Sequence, residues 1–478
     1  MTLVDPGLTA APIDARPVRR DPIARLSPTL RYGLYASVLV LILTTAEQLT
    51  DQTRLTSANT WSSALELTLP IALAGLGGLW AERAGIVNIG LEGMMVLGTW
   101  MGAWGCIEYG AWAGVVLGVV GGALGGLLHA IATVGFGVDH IISGVAVNIL
   151  GGGVTQFANL ELFDSTNQSP RIPENVGQVR VPGLNDVVGG LAGDLTDTSV
   201  LVWLAVSILG LIAVTWRFHP SRPFVRPAVI TGLAAVAGLS LIELAPYLDG
   251  QQRFFVSEVG RIVSGLTDEL SLVVVLGVLA FPISGLVLWR TKFGLRLRSV
   301  GEDPVAAESV GVNVYLMKVV AVVVSGAMAG LGGVSLVYLF AGQFRTGQTN
   351  GRGYIGLAAM IFGNWRPAGL ALGAGLFGFT DALTLQSGQT TRALLVVVAL
   401  GSVALVARAL ITGRWRSALI AVGAAVGAIV WFNLVDELPG EIVVFLPHLT
   451  TLLVLTFASQ RLRPPAADGK PYRRGESG

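Results

Sequence analysis

Residues 290–318 read RTKFGLRLRSVGEDPVAAESVGVNVYLMK and form the longest basic gap between the apolar runs of this chain. Within the gap, Asp303 can cap a helix through its carboxylate, and Pro304 suits the first helical position, where no N–H is needed. The pattern predicts a short helix over residues 304–311, which Gly311 ends. We interpret this capped helix, on a basic loop between two apolar runs, as a docking site for a partner protein.

The composition places this loop in a membrane protein. Of 478 residues, 53% are hydrophobic and 13% are charged, which is about half of the charged share usual in soluble domains. The 63 glycines suit close packing of helices in lipid, where small residues let backbones approach. Lys and Arg number 31 against 30 Asp and Glu, so the charge balance predicts no nucleic-acid partner. The single Cys106 and four histidines in no ligand-spaced set predict no disulfide framework and no metal centre.

Apolar runs long enough to cross about 30 Å of hydrocarbon predict the membrane spans. They lie near residues 32–49, 62–80, 86–107, 111–135, 140–158, 198–216, 225–247, 270–289, 319–341, 368–384, 392–411, 417–434 and 442–459. The run 353–363 is shorter and is either a half-span or a full span with a polar end. We therefore expect an all-α polytopic membrane protein of about 12–14 transmembrane helices. Its membrane domain is predicted at 32–460, between tails at 1–31 and 461–478.

Clusters of Lys and Arg predict the orientation, because such residues concentrate in cytoplasmic loops. Five clusters fall on the same side when spans alternate from a cytoplasmic N-terminus. They occupy the N-terminal tail, the loop after residue 216, the 290–318 loop, residues 408–416 and the C-terminal tail. Both termini are therefore expected in the cytoplasm, and the loops 159–197 and 248–269 outside. The N-terminal tail has no small-residue cleavage site, so no removable signal peptide is expected.

Two short strings recur in the chain and predict an inverted repeat. Residues 74–78 and 329–333 both read AGLGG, and each is followed by a second string, IGL with a methionine three residues further on, at 89–94 and 355–360. Either string alone can arise by chance in a glycine-rich chain. The predicted polarity of the two glycine-rich spans is opposite, however, as an inverted repeat requires, and such repeats frame transport sites near the membrane midplane.

Four blocks of sequence resemble the permease subunits of ABC importers, in the branched-chain amino acid/ribose/nucleoside permease superfamily. Residues 82–94, ERAGIVNIGLEGM, are similar to its ERxGxxNIGxEGxM signature. Residues 301–307, GEDPVAA, resemble its GxNPxAA segment, with Asp303 in place of the usual Asn. The strings GRGYI and FGNWRP, between 351 and 367, resemble its GRGFIALAxxIFGxWxP block. The final block, RPPAADGKPY at 463–472, is similar to the end of the nucleoside and simple-sugar branch.

The resemblance covers most of 62–160 and 290–475, while the segments near 220–265 and 412–440 have no counterpart in it. It implies a multi-pass protein of a bacterial plasma (inner) membrane that carries nucleosides or simple sugars. It also implies three partners: an ABC ATPase subunit, a second permease that is a paralogue or a copy of this chain, and an extracytoplasmic substrate-binding protein. Membrane lipid surrounds the spans.

The chain has no G-x-x-x-x-G-K-[ST] phosphate loop, so we expect it not to be an enzyme. ATP and Mg are then used by the partner ATPase, and this chain binds no cofactor. The 290–318 loop would be the coupling segment that the ATPase engages. Its candidate coupling residues are Gly301, Glu302, Asp303, Pro304, Ala306, Ala307, Glu308 and Gly311.

Polar residues inside the predicted spans are the candidates for the substrate pathway, since buried polar groups in a membrane normally face protein or a water-filled path. Asn88 and Glu92 are spaced to share a helical face, and Asn148 and Gln156 lie two turns apart with Phe157 beside them. On the other repeat the candidate is Tyr354. Helix-to-helix hydrogen bonding is the rival interpretation for these residues. Glu82 and Arg83 either hold the start of the following span or anchor it at the interface.

A second class of protein remains open at this point. A stand-alone, ion-coupled secondary transporter also uses an inverted repeat, but it usually carries buried acidic or His residues for its ion. Here Glu92 is the one good candidate in a predicted span. An intramembrane enzyme is disfavoured because no nucleophile–base pair or metal set is present in the sequence. Neighbouring genes for an ATPase and a binding lipoprotein would separate the first two classes.

Overall fold

The fold is known from a computed structural model, and the residues that it describes are helical apart from loops and one pair of very short strands. The structure describes residues 28–50, 54–179, 269–385, 388–411, 415–435 and 462–473, with the short stretches 261–262, 265–267 and 413. The chain divides into two compact units. One contains residues 1–56 and 386–443, and the other contains residues 57–385 and 444–478. The predicted spans 198–216, 225–247 and 442–459 lie outside the described residues.

The first unit contains α1 (Pro28–Thr50), α12 (Gly388–Ile411) and α13 (Trp415–Leu434). Helix α12 packs against both α1 and α13. Helix α13 falls in the segment 412–440, which has no counterpart in the resemblance described above, and its length and apolar character suit a membrane span.

The second unit contains the remaining described helices. They are α2 (Ala58–Glu82), α3 (Leu91–Tyr109), α4 (Ala111–Ala130), α5 (His140–Phe163), α6 (Leu272–Arg290), α7 (Lys292–Glu302), α8 (Pro304–Ser309), α9 (Val314–Leu336), α10 (Arg352–Phe362) and α11 (Pro367–Thr384). Single π-turns, Ile131–Gly135 and Val337–Ala341, extend α4 and α9. Strands β1 (Gln178–Val179) and β2 (Leu270–Ser271) pair antiparallel.

The predicted spans agree closely with these helices. Among the described residues, 7 helices are long and apolar enough to cross a membrane, which confirms a polytopic α-helical membrane protein. The run at 353–363 is the short helix α10. Helix α5 extends to Phe163 rather than to residue 158, so the predicted outer loop 159–197 starts too early. Asp164, with a left-handed φ of 52°, ends that helix.

Reciprocal contacts between α2 and α9 show the inverted repeat. A Cβ placed on Gly77 would lie 2.4 Å from the carbonyl oxygen of Ser325, and one placed on Gly332 would lie 3.0 Å from that of Pro70. Gly77 and Gly332 occupy the same place in the two AGLGG strings, and Pro70 and Ser325 stand at the same distance before them. Equivalent positions of the two helices thus contact each other reciprocally, as a two-fold axis between the helices requires. The same pairings require the two helices to run antiparallel.

The neighbours of the central pair repeat the relation. Helix α9 packs on α3 through Gly330 and Gly98, and α2 packs on α10 through Gly75 and Gly356. Helices α2, α3 and α4 therefore correspond to α9, α10 and α11. Because Gly75 and Gly330 are equivalent, Gly98 and not Gly90 corresponds to Gly356. The second shared string, predicted to be equivalent in the two repeats, is thus out of register, and that part of the prediction is wrong.

Candidate functional site

The first repeat is interrupted between α2 and α3, where residues 83–90 form no helix. Asn88 lies in this break and is fully buried. Its Nδ2 donates to Ser325 Oγ at 2.8 Å, and its Oδ1 accepts from Gly90 N at 3.0 Å. The prediction that Asn88 and Glu92 share a helical face is therefore wrong, because α3 begins only at Leu91. The Asn88 side chain joins the break to α9.

The second repeat is interrupted between α9 and α10, and Glu92 closes the end of that break. Glu92 Oε1 accepts from Gly351 N at 2.9 Å, and Oε2 accepts from Gly353 N at 2.7 Å. The first amides of a helix have no partner inside it and carry partial positive charge. A carboxylate from the first turn of α3 thus satisfies the start of α10, with Gly351 in the left-handed conformation that glycine allows.

Asn148, from the middle of α5, connects the two helix starts. Its Oδ1 accepts from Gly93 N at 2.7 Å in the first turn of α3, and its Nδ2 donates to Ile89 O at 3.0 Å and to Tyr354 Oη at 2.8 Å. Each restarted helix is therefore capped by a side chain from another element. We call Asn88, Glu92, Asn148, Ser325 and Tyr354, with the amides they bind, the polar junction.

The polar junction lies part-way along the repeat and opens at one side. Gly356, one turn after the start of α10, packs against Gly75 close to the centre of the α2–α9 pair. Tyr354 is 46% exposed and Asn148 is partly exposed, whereas Asn88 is enclosed. The structure thus brings four of the six predicted pathway residues together: Asn88, Glu92, Asn148 and Tyr354.

The other two predicted pathway residues, Gln156 and Phe157, lie outside the junction on α5. Both are exposed, Phe157 to 65%. They belong to a broad exposed surface that α5 shares with Tyr354. Members of this surface, called the α5 face, are Val145, Ile149, Asn148, Gly153, Gln156, Phe157 and Leu160.

The predicted short helix exists as α8, with the predicted cap. Asp303 Oδ1 accepts from Ala306 N at 2.9 Å, Pro304 is the first helical residue, and Gly311 has a φ of 84° just after the end. The helix ends at Ser309, two residues earlier than predicted. A second helix, α7, precedes it within the same loop and was not predicted, although Thr291 caps it through Gly294 N at 3.0 Å.

Ala307, one of the candidate coupling residues, does not lie on the outer face of α8. It is 3% exposed and packs against Val300 and Val314 inside the loop. Gly301 is also buried, and its carbonyl accepts from Ala467 N at 2.9 Å. Three exposed residues of α8 and the residue that follows it form a surface here called the α8 face: Val305, Ala306, Ser309 and Val310.

Glu82 and Arg83 bind one residue of the second repeat at the α8 end of the molecule. Trp365 Nε1 donates to the Glu82 carboxyl group, and Arg83 Nη2 donates to Trp365 O at 2.6 Å. Trp365 and Asn364 both have a left-handed φ of 53° in the turn between α10 and α11. The side chains of Glu82 and Arg83 therefore hold this turn against the end of α2. The conformation is uncommon for bulky residues and is retained by these contacts.

The end of the chain crosses the same region. Residues 462–473, the C-terminal strap, run from Asn364 past Gly301 to α8. Burial raises the pKa of Asp468 to about 6; the Glu82 carboxyl group hydrogen-bonds to it, and Lys318 and Arg83 are the cations that face it. In the sequence, the strap is recognisable only through its resemblance to the permease family. No local sequence pattern indicates its contacts, because its partners are far away along the chain.

Inverted repeats of glycine-packed helices, each interrupted where polar groups collect, define the architecture of a membrane solute permease. The chain belongs to the family described as the branched-chain amino acid transport system / permease component, whose model matches residues 61–407.

Comparison with characterised proteins gives three relatives of similar kind. The chain is 29% identical over 415 residues to the guanosine ABC transporter permease protein NupQ of Bacillus subtilis, covering 85% of this chain and 94% of that protein. It is 30% identical to the nucleoside ABC transporter permease protein NupC of Lactococcus lactis, over 67% of this chain and 80% of NupC. It is 29% identical to the putative glucose ABC transporter permease protein TsgC13 of Haloferax volcanii, over 71% and 80%.

Proposed function

We propose that this chain is the permease subunit of an ATP-driven ABC importer for nucleosides or simple sugars. The observation that carries the proposal is the match along 85% of the chain to a guanosine permease, together with the polar junction inside the inverted repeat. The relatives are named for nucleosides and glucose, and hydroxyl-rich neutral solutes suit amide, phenol and backbone partners. The three relatives described above are named as ABC transporter permeases and so do not support the ion-coupled alternative.

The α5 face is the surface that completes the passage. A permease pair, of this chain with a paralogue or with itself, would place the α5 faces of the two subunits opposite each other. Asn148 and Tyr354 would then offer weak hydrogen-bond partners to a passing solute, Gln156 and Phe157 would line the wider part, and Asn88 and Glu92 would hold the walls. An extracytoplasmic binding protein would deliver the solute to this passage.

The α8 face is the surface that meets the ATPase. Val310 is 79% exposed although it is apolar, and the nearby residues Val305 and Ala306 are also exposed. An exposed apolar patch on a polar loop is typical of a protein–protein binding site, where it packs into a pocket of the partner. The end of the molecule that carries α8 is then cytoplasmic. ATP and Mg are bound by the ATPase, and ATP-driven closure moves α8.

Docking can be tested with one residue of the α8 face. Val310→Asp should abolish co-purification of the ATPase and ATP-driven uptake, because a buried unpaired charge at an interface is strongly unfavourable. Val310→Thr, of similar shape, is the matched control and should retain both. Native uptake by Val310→Asp at native abundance would refute docking through α8.

Transport itself is tested by reconstituting the permease pair, the ATPase and the binding protein in liposomes. Radiolabelled guanosine and glucose are supplied outside, with ATP enclosed. We expect uptake of at least one of them that requires ATP and persists when ion gradients are collapsed. Uptake that follows an ion gradient without ATP would overturn the proposal in favour of a secondary transporter.

A further inference from the structure

The C-terminal strap joins three parts of the second unit that are distant in sequence. Its first attachment is to the loop before α8 and to the break in the first repeat. Ala467 N donates to Gly301 O at 2.9 Å, and Ala466 N donates to Glu302 Oε2 at 3.3 Å. A Cβ on Gly85 would lie 3.1 Å from the Ala467 carbonyl oxygen. The backbone of the strap therefore lies directly on the turn that follows α2.

The second attachment is to the other repeat. Arg463 N donates to Asn364 Oδ1 at 2.8 Å. Asn364 stands in the left-handed turn whose next residue, Trp365, is held by Glu82 and Arg83. The strap thus contacts the α2–α3 break of the first repeat and the α10–α11 turn of the second repeat.

The third attachment is to α8 itself. Tyr472 Oη donates to Glu308 Oε2, and the Tyr472 ring packs with Tyr315 at 5.7 Å between centroids and accepts Lys318 Nζ at 5.8 Å from its centroid. The same ring packs against the small cluster that encloses Ala307. The inner side of α8 is therefore held by the strap, while its outer side carries the α8 face.

We propose that the C-terminal strap is the internal link that transmits movement of α8 to the α2–α3 break and the α10–α11 turn, with Tyr472 as its positioning residue. The inference rests on the proposed function, since it requires an ATPase that moves α8. Glu308, a predicted coupling residue, acts through this link by holding Tyr472. Movement of α8 then pulls on the backbone at Gly301 and Ala467 and, through Asn364, on the turn beside Trp365.

The test uses the complete reconstituted transporter with Tyr472→Ala, Tyr472→Phe and Glu308→Gln. Lys470→Ala, at an exposed position of the strap, is the matched control. Three quantities are measured for each: co-purification of the ATPase, ATP hydrolysis, and solute taken up per ATP hydrolysed. We expect Tyr472→Ala to lower uptake per ATP by about 5-fold or more, within the range for residues that carry coupling between sites. ATPase binding should remain, because the α8 face is unchanged.

The conservative variants separate coupling from simple packing. Tyr472→Phe keeps the ring and should lose about 2-fold in uptake per ATP through loss of one hydrogen bond. Glu308→Gln keeps an acceptor oxygen but loses the charge, so its loss should be no larger. Combining the two should cost little more than Tyr472→Phe alone, since that change already removes the interaction that Glu308→Gln weakens. Native uptake per ATP in Tyr472→Ala would overturn the proposed role of the strap but not the proposed function. If Tyr472→Ala does not fold, native uptake per ATP in both conservative variants would do the same. Absence of ATP-driven uptake in the unaltered transporter would instead refute the proposed function.

Discussion

At the scale of single residues, the most consequential group is Glu92. Its two carboxylate oxygens accept hydrogen bonds from the amides of Gly351 and Gly353 at the start of α10. Charge-assisted hydrogen bonds of this kind are worth about 1.5–3 kcal/mol each to stability. The sequence pointed to Glu92 because it is an acidic residue in an apolar run, but it did not show that the partner is backbone.

Substituting Glu92 separates a cap from a direct solute contact. Glu92→Gln keeps the shape but turns one end of the group into a donor, so it should lower thermal stability in detergent and lower uptake partially. Glu92→Leu leaves both amides unpaired and should destabilise by about 2–4 kcal/mol. Melting curves and initial uptake rates check this. A Glu92→Leu protein with unchanged melting temperature would contradict the capping role.

The carboxyl group of Asp468 predicts a pH dependence of the strap. Burial raises its pKa from 3.8 to about 6, so the docked strap binds a proton that the released strap gives up. Docking is therefore strongest below about pH 4 and weakens as the pH rises from 4 to 6. The carboxyl group of Glu82 and the cationic side chains of Lys318 and Arg83 are the titratable groups that face Asp468.

Hydrogen exchange can follow this change. Protection of the strap amides, corrected for intrinsic exchange, should fall between about pH 4 and about pH 6, the interval between the released and docked pKa values of Asp468. Asp468→Asn should remove the pH dependence and increase protection at pH 7. Equal protection across that range in the unaltered protein would show that Asp468 does not govern docking.

At the scale of elements, helix packing depends on glycine at the positions where backbones touch. Gly78 and Gly333 hold the same place in the two AGLGG strings, yet their surroundings differ. A Cβ on Gly333 would lie 2.2 Å from the Met95 carbonyl oxygen, whereas one on Gly78 would meet only side-chain ends at 3.3 Å and beyond. Equivalent glycines of the two repeats therefore pack against different kinds of atoms, backbone in one repeat and side-chain ends in the other.

This difference predicts unequal effects of the same substitution. Gly333→Ala should destabilise the protein by about 1–3 kcal/mol, because overpacking must move backbone. Gly78→Ala should be nearly neutral, since the Leu91 and Leu357 side chains can shift. Gly285→Ala, with no heavy atom within 4 Å of the added Cβ, serves as control. Equal melting temperatures for the first two variants would contradict the packing described.

At the scale of the whole molecule, the sequence predicted more of the fold than of the site. Helix positions followed from apolar length, and the cap of α8 followed from Asp303 and Pro304, because these signals are local. The breaks at 83–90 and 342–351 and the inward orientation of Ala307 did not follow. They depend on contacts such as Asn88 with Ser325 that join residues far apart in the chain.

Cysteine labelling tests the predicted orientation. Cys106 is the one cysteine in the sequence and is buried, so the background is low. Ser309→Cys on α8 should resist a membrane-impermeant maleimide added outside intact cells, whereas Thr346→Cys, exposed in the 342–351 break, should react. The reverse pattern would invert the assigned topology.

The capping of α10 by Glu92 also bears on which solutes the proposed passage rejects. A free helix start commonly attracts phosphate groups. Here that position is filled by an acidic side chain of the protein itself, so an approaching phosphate meets repulsion instead of attraction. A neutral nucleoside or sugar feels little of this field. The passage would thereby retain phosphorylated metabolites in the cell by charge alone, without recognising base or sugar.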